Sequence, residues 1–369
     1  MHDTPINERR HDYDWPLAAA VLGLMIIGTA FIFSATESQS LYLRQVVWYV
    51  LGVGAAAAAC YFEYGSLARW SAVFYWGTMA LLLAVYAVGA FHHGAKRWID
   101  LGAFNLQPSE FAKIAFILWL AHYLSRPREE LRRGKVFLGA LGYTLLPFIL
   151  VLKEPDMGSA LVFLAISLAM MFVAGVPNRL LAGLVGGAGL LVVLGVALIL
   201  FAPVKLKILE SYQSGRVLEY FGRRKSYNVE QALISIGSGG LTGKGWRQGT
   251  QHSLGFLPSG GAHNDFIFSV IAEEEGFVGS VVVLTLYTVL LFSGIKIASQ
   301  ARDRLGQIMA IGVVTLLFSH VFINIGMNIR LMPVAGIPLP LLSYGGSSVI
   351  CSLIAIGILH NVHIYRRYH

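Results

Sequence analysis

The sequence predicts an all-α, polytopic membrane protein, and three observations predict it. Hydrophobic residues make up 56% of the 369-residue chain and charged residues only 13%, about half the charge of an average soluble domain. Mean hydropathy is +0.64. The apolar residues gather into repeated runs of roughly 17 to 25 residues, the length a helix needs to cross a hydrocarbon core of about 30 Å. In lipid such runs are helical, because each backbone N–H and C=O must be satisfied within its own segment.

Ten spans are predicted, at about 16–35, 45–62, 71–91, 107–125, 136–152, 158–174, 179–202, 277–296, 306–329 and 346–365. The first lacks a small-residue cleavage exit and is longer than a signal-peptide core, so it reads as an uncleaved span. A cytoplasmic N-terminus puts Arg9, Arg10, Arg69, Arg126, Arg128, Arg132, Arg133, Lys135, Arg179, Lys296, Arg302, Arg304, Arg366 and Arg367 on the inner side, fourteen in all. The short outer connections then hold only Arg44, Lys96, Arg97, Lys153 and Arg330. The positive-inside rule favours this arrangement, with both termini cytoplasmic. Basic residues that mark span ends also account for the formal charge of +8, so nucleic acid is not an expected partner. Cys60 and Cys351 lie far apart in apolar runs, which argues against a disulfide framework or a zinc site.

The chain reads as one membrane domain over 1–369 with a large extracytoplasmic loop over 203–276. A connection that long is commonly functional. It opens on a basic, amphipathic stretch and continues into a glycine-rich one. Within the latter, "SGGLTGKGW" misses the phosphate-binding pattern GxxxxGK[ST] at Ser238 and Gly245, and reads as a tight turn. No fixed-period repeat supports an inverted-repeat transporter.

The candidate functional residues are ionisable or polar groups at the edges of spans. Glu110 and Lys113 stand three apart on one face of the fourth span; such residues in a membrane helix mark a functional site by default, and a structural ion pair is the competing reading. Arg97 precedes that span beside Trp98, where an interfacial anchor is the plain alternative. Asp156 sits in a short outer turn and either caps the next helix or serves the site. Asp265 opens a segment that, as one helix to Lys296, is roughly 48 Å long at 1.5 Å per residue. That exceeds the bilayer core, so 265–276 lies at or above the outer interface, with Gly276 as the bend. Neither Asp265 nor Glu273, Glu274 and Glu275 faces lipid on this reading; helix capping is the alternative role for Asp265. Three prolines and a Gly-Gly pair break the backbone before the last span. Broken backbone at that depth needs a protein or watery lining, which Ser343, Tyr344, Ser347 and Ser348 supply.

Four separated stretches, "GAKRWIDLGAFNLQPSEFAKIA", "EPDMGSALV", "GSGGLTGKGWRQGTQ" followed by "HNDFIFSVIAEEEGFVG", and "PVAGIPLPLLSYGGSS", together resemble the SEDS family of shape, elongation, division and sporulation proteins. The likeness runs through nearly the whole chain and is greatest to the rod-shape members; the division members are the near alternative. It implies a peptidoglycan glycosyltransferase of the bacterial cytoplasmic (inner) membrane. Such an enzyme polymerises lipid II and works with a class B penicillin-binding protein, a transpeptidase. The family's essential aspartate falls on Asp265, as general base. Its cavity residues fall on Arg44, Glu110, Lys113 and Asp156, with Arg97 and Ser343 as further substrate contacts. The family usually has threonine where this chain has Asn264. No cofactor is implied; no closed set of carboxylates points to a resident metal, and the sequence leaves open whether a divalent cation takes part. A lipid II flippase or a scaffold that recruits the transpeptidase are the opposing readings.

Overall fold

The computed structural model describes residues 13–36, 39–92, 95–100, 102, 105–201, 211–221, 226–257 and 261–367. Parts of the basic stretch that opens the long connection, 202–210 and 222–225, lie outside the described residues, as do both chain ends.

Each predicted span coincides with a helix. In chain order these are α1 (Trp15–Thr36), α2 (Gln39–Tyr61), the short α3 (Tyr64–Arg69), α4 (Ser71–Val88), α5 (Pro108–Leu124), the short α6 (Arg128–Leu131), α7 (Gly134–Lys153), α8 (Met157–Ala174) and α9 (Asn178–Phe201). The long connection carries α10 (Ser211–Tyr220), α11 (Tyr227–Ser238) and α12 (Thr250–Ser253), and α13 (Ile267–Ser299), α14 (Arg304–Asn328) and α15 (Gly346–Ile364) complete the chain. Eight helices among the described residues are long and apolar enough to cross a membrane. The predicted count of ten therefore depends on α4, which is apolar but shorter, and on the 17-residue α5, whose Glu110 and Lys113 interrupt the apolar run.

One element departs from the all-α expectation. Between α4 and α5 the chain forms a small antiparallel sheet of β1 (Ala90–His92), β2 (Ala95–Asp100) and β3 (Asn105–Leu106), ordered β1-β2-β3. Trp98 pairs with Ala90, and Asp100 with Asn105. The segment carries Phe91, Trp98 and Phe104, aromatic residues that suit a span edge and interfacial anchor as well as a strand.

The helices begin and end where local chemistry requires. α5 starts with Pro108 in its first turn behind an extended Gln107, a position where proline's missing N–H costs nothing. Asp303 caps α14 by accepting from the Gly306 N–H at 2.8 Å. α14 and α15 are the most enclosed of those eight helices, and α5 is comparably buried. α14 and α15 pack against α2, α5, α8 and α13, while α9 is exposed along most of its length.

α13 bends at Gly276, whose φ of 64° and ψ of −156° lie outside the helix. Only glycine adopts that conformation without strain. The bend removes two bonds that an unbroken helix makes, from Phe277 N–H to the Glu273 carbonyl and from Val278 N–H to that of Glu274. The glycine-rich stretch replaces them one for one. Phe277 and Val278 donate instead to the carbonyls of Gly240 and Leu241 at 2.9 and 3.1 Å, and the carbonyls of Glu273 and Glu274 accept from Lys244 and Gly245 at 3.0 and 2.9 Å. The turn expected from "SGGLTGKGW" is thus a clasp on the broken helix. Its glycines let two backbones meet: a Cβ at Gly243 would run into the Glu274 carbonyl.

The side chains of the two buried glutamates complete the clasp. Glu273 accepts from Lys244 Nζ at 2.5 Å, the Thr250 N–H at 2.7 Å, the Gln251 N–H at 3.1 Å and Ser235 Oγ at 3.1 Å. Glu274 accepts from Ser34 Oγ of α1 at 2.5 Å and from the Arg247 N–H at 3.0 Å. Both are fully buried in protein, which agrees with the expectation that neither faces lipid.

Candidate active site

Asp265 is half-buried, just before α13. The N-cap position of that helix is Phe266, so Asp265 stands one residue outside it, not at the cap considered for it above. Its main chain is held firmly. Three successive carbonyls are each engaged by a different group: His263 accepts from the Tyr344 N–H at 2.9 Å, Asn264 from Ser343 Oγ at 2.6 Å, and Asp265 from both Asn324 Nδ2 and Asn328 Nδ2 at 3.0 Å. Ser343 Oγ also accepts from the Leu339 N–H at 2.8 Å. The proline-broken loop before α15 thus serves as a bed for the His263–Asp265 turn, and Ser343 works in that bed as a scaffold.

Asn324 and Asn328 belong to a polar stripe inside an apolar helix. With His320 they recur every four residues on one face of α14, and all three are buried. Four residues rise about 6 Å, so the stripe covers some 12 Å along the helix. At its far end Lys113 Nζ lies 2.8 Å from His320 Nε2 and 2.8 Å from Glu110 Oε1. α14 therefore joins two groups of residues the sequence singled out separately, the Glu110–Lys113 pair and the Asp265 turn. Sequence reading missed the three linking residues. The available signal was their four-residue spacing within a span, where a polar side chain faces protein or water, not lipid.

The other expected residues fall into two places. Asp156 caps α8, accepting from the Ser159 N–H at 3.1 Å, and Gln107 Nε2 approaches its other oxygen at 3.5 Å. Arg97 on β2 donates to the Glu154 carbonyl at 2.9 Å and to that of Pro155. These contacts tie the small sheet to the α7–α8 connection. Glu154 in that connection is 2% exposed and was not anticipated. Burial pushes its carboxyl up to about 8; Asp156 adds to the effect, and Arg97 opposes it. Arg44 does not join either group: it is exposed on α2. The neighbouring Gln45 is the buried one, donating to the Ser343 carbonyl at 3.3 Å and accepting from the Gly345 N–H at 3.4 Å. Among the described residues no three His, Cys, Asp or Glu side chains are grouped to hold a metal ion.

The helices and this enclosed polar path define a polytopic helical membrane protein with an interior lined for polar chemistry. The chain belongs to the cell cycle protein family of FtsW, RodA and SpoVE, whose model matches residues 14–368. It is 36% identical over 356 residues to the peptidoglycan glycosyltransferase MrdB of Escherichia coli K12, covering 94% of this chain and 92% of that protein. It is 33% identical to the peptidoglycan glycosyltransferase RodA of Treponema pallidum, covering 95% and 97%. Among solved structures it is similar to a chain of a peptidoglycan synthase complex that coordinates polymerization and crosslinking, at a TM-score of 0.82 and 31% identity, covering 97% of this chain and 100% of that one. It is also similar to the rod shape determining protein RodA of Thermus thermophilus, at a TM-score of 0.72 and 30% identity, covering 98% and 99%. The protein is a bacterial membrane protein.

Proposed function

We propose that this protein is a peptidoglycan glycosyltransferase of the elongation type, which polymerises lipid II with Asp265 as general base. The family membership and the relatives named peptidoglycan glycosyltransferase support the activity. The observation that carries the role of Asp265 is the fixing of its turn: a half-buried carboxylate whose main chain is tied at three consecutive carbonyls. General base catalysis needs a carboxylate placed to within hydrogen-bond reach of the proton it takes, and rigid support supplies that placement.

In the reaction a sugar hydroxyl oxygen bonds to the anomeric carbon of a second substrate. The bond from that carbon to the pyrophosphate oxygen breaks, and undecaprenyl pyrophosphate leaves with its electron pair. The hydroxyl proton passes to Asp265. Arg97 is the cation we assign to the leaving pyrophosphate, which carries its charge at the membrane surface; Lys113, enclosed with Glu110 and His320, supports the site from within the bundle. On this reading 203–265 lies on the outer side of the membrane. A class B penicillin-binding protein is the proposed partner, by analogy with the synthase complex the fold resembles.

The test is the Asp265→Asn variant, with fluorescent lipid II as substrate and the protein purified in detergent. Asparagine keeps the size of aspartate and its hydrogen-bonding oxygen but cannot take up the proton. The expected result is normal folding and a rate lower by a factor on the order of 10² to 10⁴. A folded variant that polymerises near the parent rate would remove Asp265 from the chemistry. The parent's polymer formation in detergent, where there is no second compartment, separates the enzyme from a flippase, which would move lipid II across liposomes without making polymer.

A further inference from the structure

We infer that Arg216 is a positioning residue for Asp265, holding its carboxylate ionised and aimed across the gap above Gly336; this rests on the general-base reading above. Arg216 comes from α10 in the long connection and Asp265 from the turn before α13, and the two meet over the proline-broken loop. A methyl group at Gly336 would stand 3.6 Å from Asp265 Oδ2 and 3.7 Å from Arg216 Nη2. An acid and a base thus both border the space a side chain would occupy there. The guanidinium is anchored on its other side, where Nη1 donates to the Val334 carbonyl at 2.8 Å. One branch of the fork thus fixes the side chain to the loop, and the second is left turned toward Asp265. Lysine has no such pair of branches.

The surroundings make the charge of Arg216 count. It lines a small pocket with Glu219, Tyr220, Glu230, Arg330 and Met332. The charged groups that share this pocket with Arg216 are Glu219 from α10, Glu230 from α11 and Arg330 after α14; on the Asp265 turn itself the ring of His263 meets that of Tyr344 from the loop before α15. A cation beside a half-buried carboxylate favours its ionised form and lowers the pH at which it becomes an effective base. Burial in a partly dry site strengthens the interaction relative to water. The same cation holds the carboxylate in one rotamer beside Gly336, where an attacking hydroxyl can approach it.

The experiment is the pH–rate profile of lipid II polymerisation by full-length parent, Arg216→Gln and Arg216→Lys proteins in detergent, with melting temperature as the folding control. The glutamine variant should lose activity and move the acidic limb of kcat/KM upward by about one pH unit, since the neighbouring charge is gone. The lysine variant should lose rate through poorer aim but keep the acidic limb within a few tenths of a unit. Should the glutamine protein not fold, Arg216→Met, neutral and of similar reach, takes its place. A neutral variant whose rate falls equally at every pH, with the acidic limb unmoved, overturns the inference and leaves Arg216 as a brace for the Val334 loop; unchanged activity overturns it as well. Failure of the general-base reading is distinguishable, because it appears as an active Asp265→Asn protein whatever Arg216 does.

Discussion

Lys113 is fully enclosed, and its ammonium group meets one carboxylate and one imidazole. An ion pair in such a place adds little net stability, but removing one partner leaves the other charged without compensation. Lys113→Ala should therefore lower stability by about 3–5 kcal/mol, read as a drop in melting temperature in detergent. The double variant Glu110→Gln, Lys113→Met, which buries no ion, should recover most of the loss. If polymerisation survives in the single variant while only the melting temperature falls, the pair is architectural and leaves the site. Glu154 gives a prediction of opposite electrostatic sense. Its folded-state carboxyl titrates near 8, against an ordinary value of 4.5, so the folded protein retains a proton that the unfolded chain has released. This group's contribution to stability is full below about pH 4.5 and is lost as the pH rises toward 8. Glu154→Gln, neutral throughout, should flatten the fall in melting temperature across that window, and an unaltered slope would show that Glu154 is ionised in the fold. The residues that bear charge within spans were readable from the chain, because an acid or base in an apolar run is conspicuous. His320, Asn324, Asn328 and Gln45 were not: uncharged, they are inconspicuous in their apolar runs, and only the packing of α14 and α2 brings them against Lys113, the Asp265 turn and the loop before α15.

At the level of elements, the clasp on α13 is the feature on which the outer half of the site depends. Four main-chain hydrogen bonds cross between 240–245 and 273–278, and the Glu273 carboxylate binds the first N–H groups of α12, where a negative charge favours a helix start. Gly243 has φ of 79° and faces the Glu274 carbonyl within van der Waals contact. Gly243→Ala must push the two strands of backbone apart, and should cost roughly 2 kcal/mol or more through lost hydrogen bonds and left-handed strain. Limited proteolysis between 239 and 257 should become faster in that variant. Gly54→Ala is the control, since a methyl group there meets nothing within 4 Å, and the helix should gain up to about 1 kcal/mol. Equal proteolysis of the two variants would mean that the clasp is not closed in solution. The spans themselves were legible, most ends to within a few residues and the start of α2 to within six, because length and hydropathy determine them and the bilayer leaves no alternative. The bend at Gly276 was legible as well, from the excess of helix length over membrane thickness. What fills the bend was not. The glycines of 239–245 read only as a turn, since nothing local shows that their N–H and C=O groups replace bonds missing from a helix some thirty residues away. The β1–β3 sheet escaped notice for a related reason: its strand pairing lies in a connection whose residue types equally suit a membrane interface.

For the whole molecule, the decisive quantity is the side of the membrane on which this construction stands. Asp265, Arg216, the clasp and the loop before α15 meet at one end of the helical bundle, held together by the contacts of α11 and α13 and by Ser343. The connection between α5 and α7 holds Arg126, Arg128, Arg132 and Arg133, with Lys135 in the first turn of α7, the densest basic cluster on a short connection. Positive charge in short connections is retained on the cytoplasmic side, whereas long connections cross regardless of charge. Both considerations predict 203–265 outside and 126–135 inside, the orientation that the proposed lipid II polymerisation on the outer face requires. Single cysteines at Leu254 and Gly134 report on it directly. Both positions are exposed, and a background of Cys60→Ser and Cys351→Ser removes the native thiols. In whole cells an impermeant thiol reagent should label the Leu254→Cys protein at once, and the Gly134→Cys protein only after the membrane is permeabilised. The opposite pattern would place the Asp265 turn in the cytoplasm, away from any growing glycan, and with it the proposed enzyme would lose its substrate.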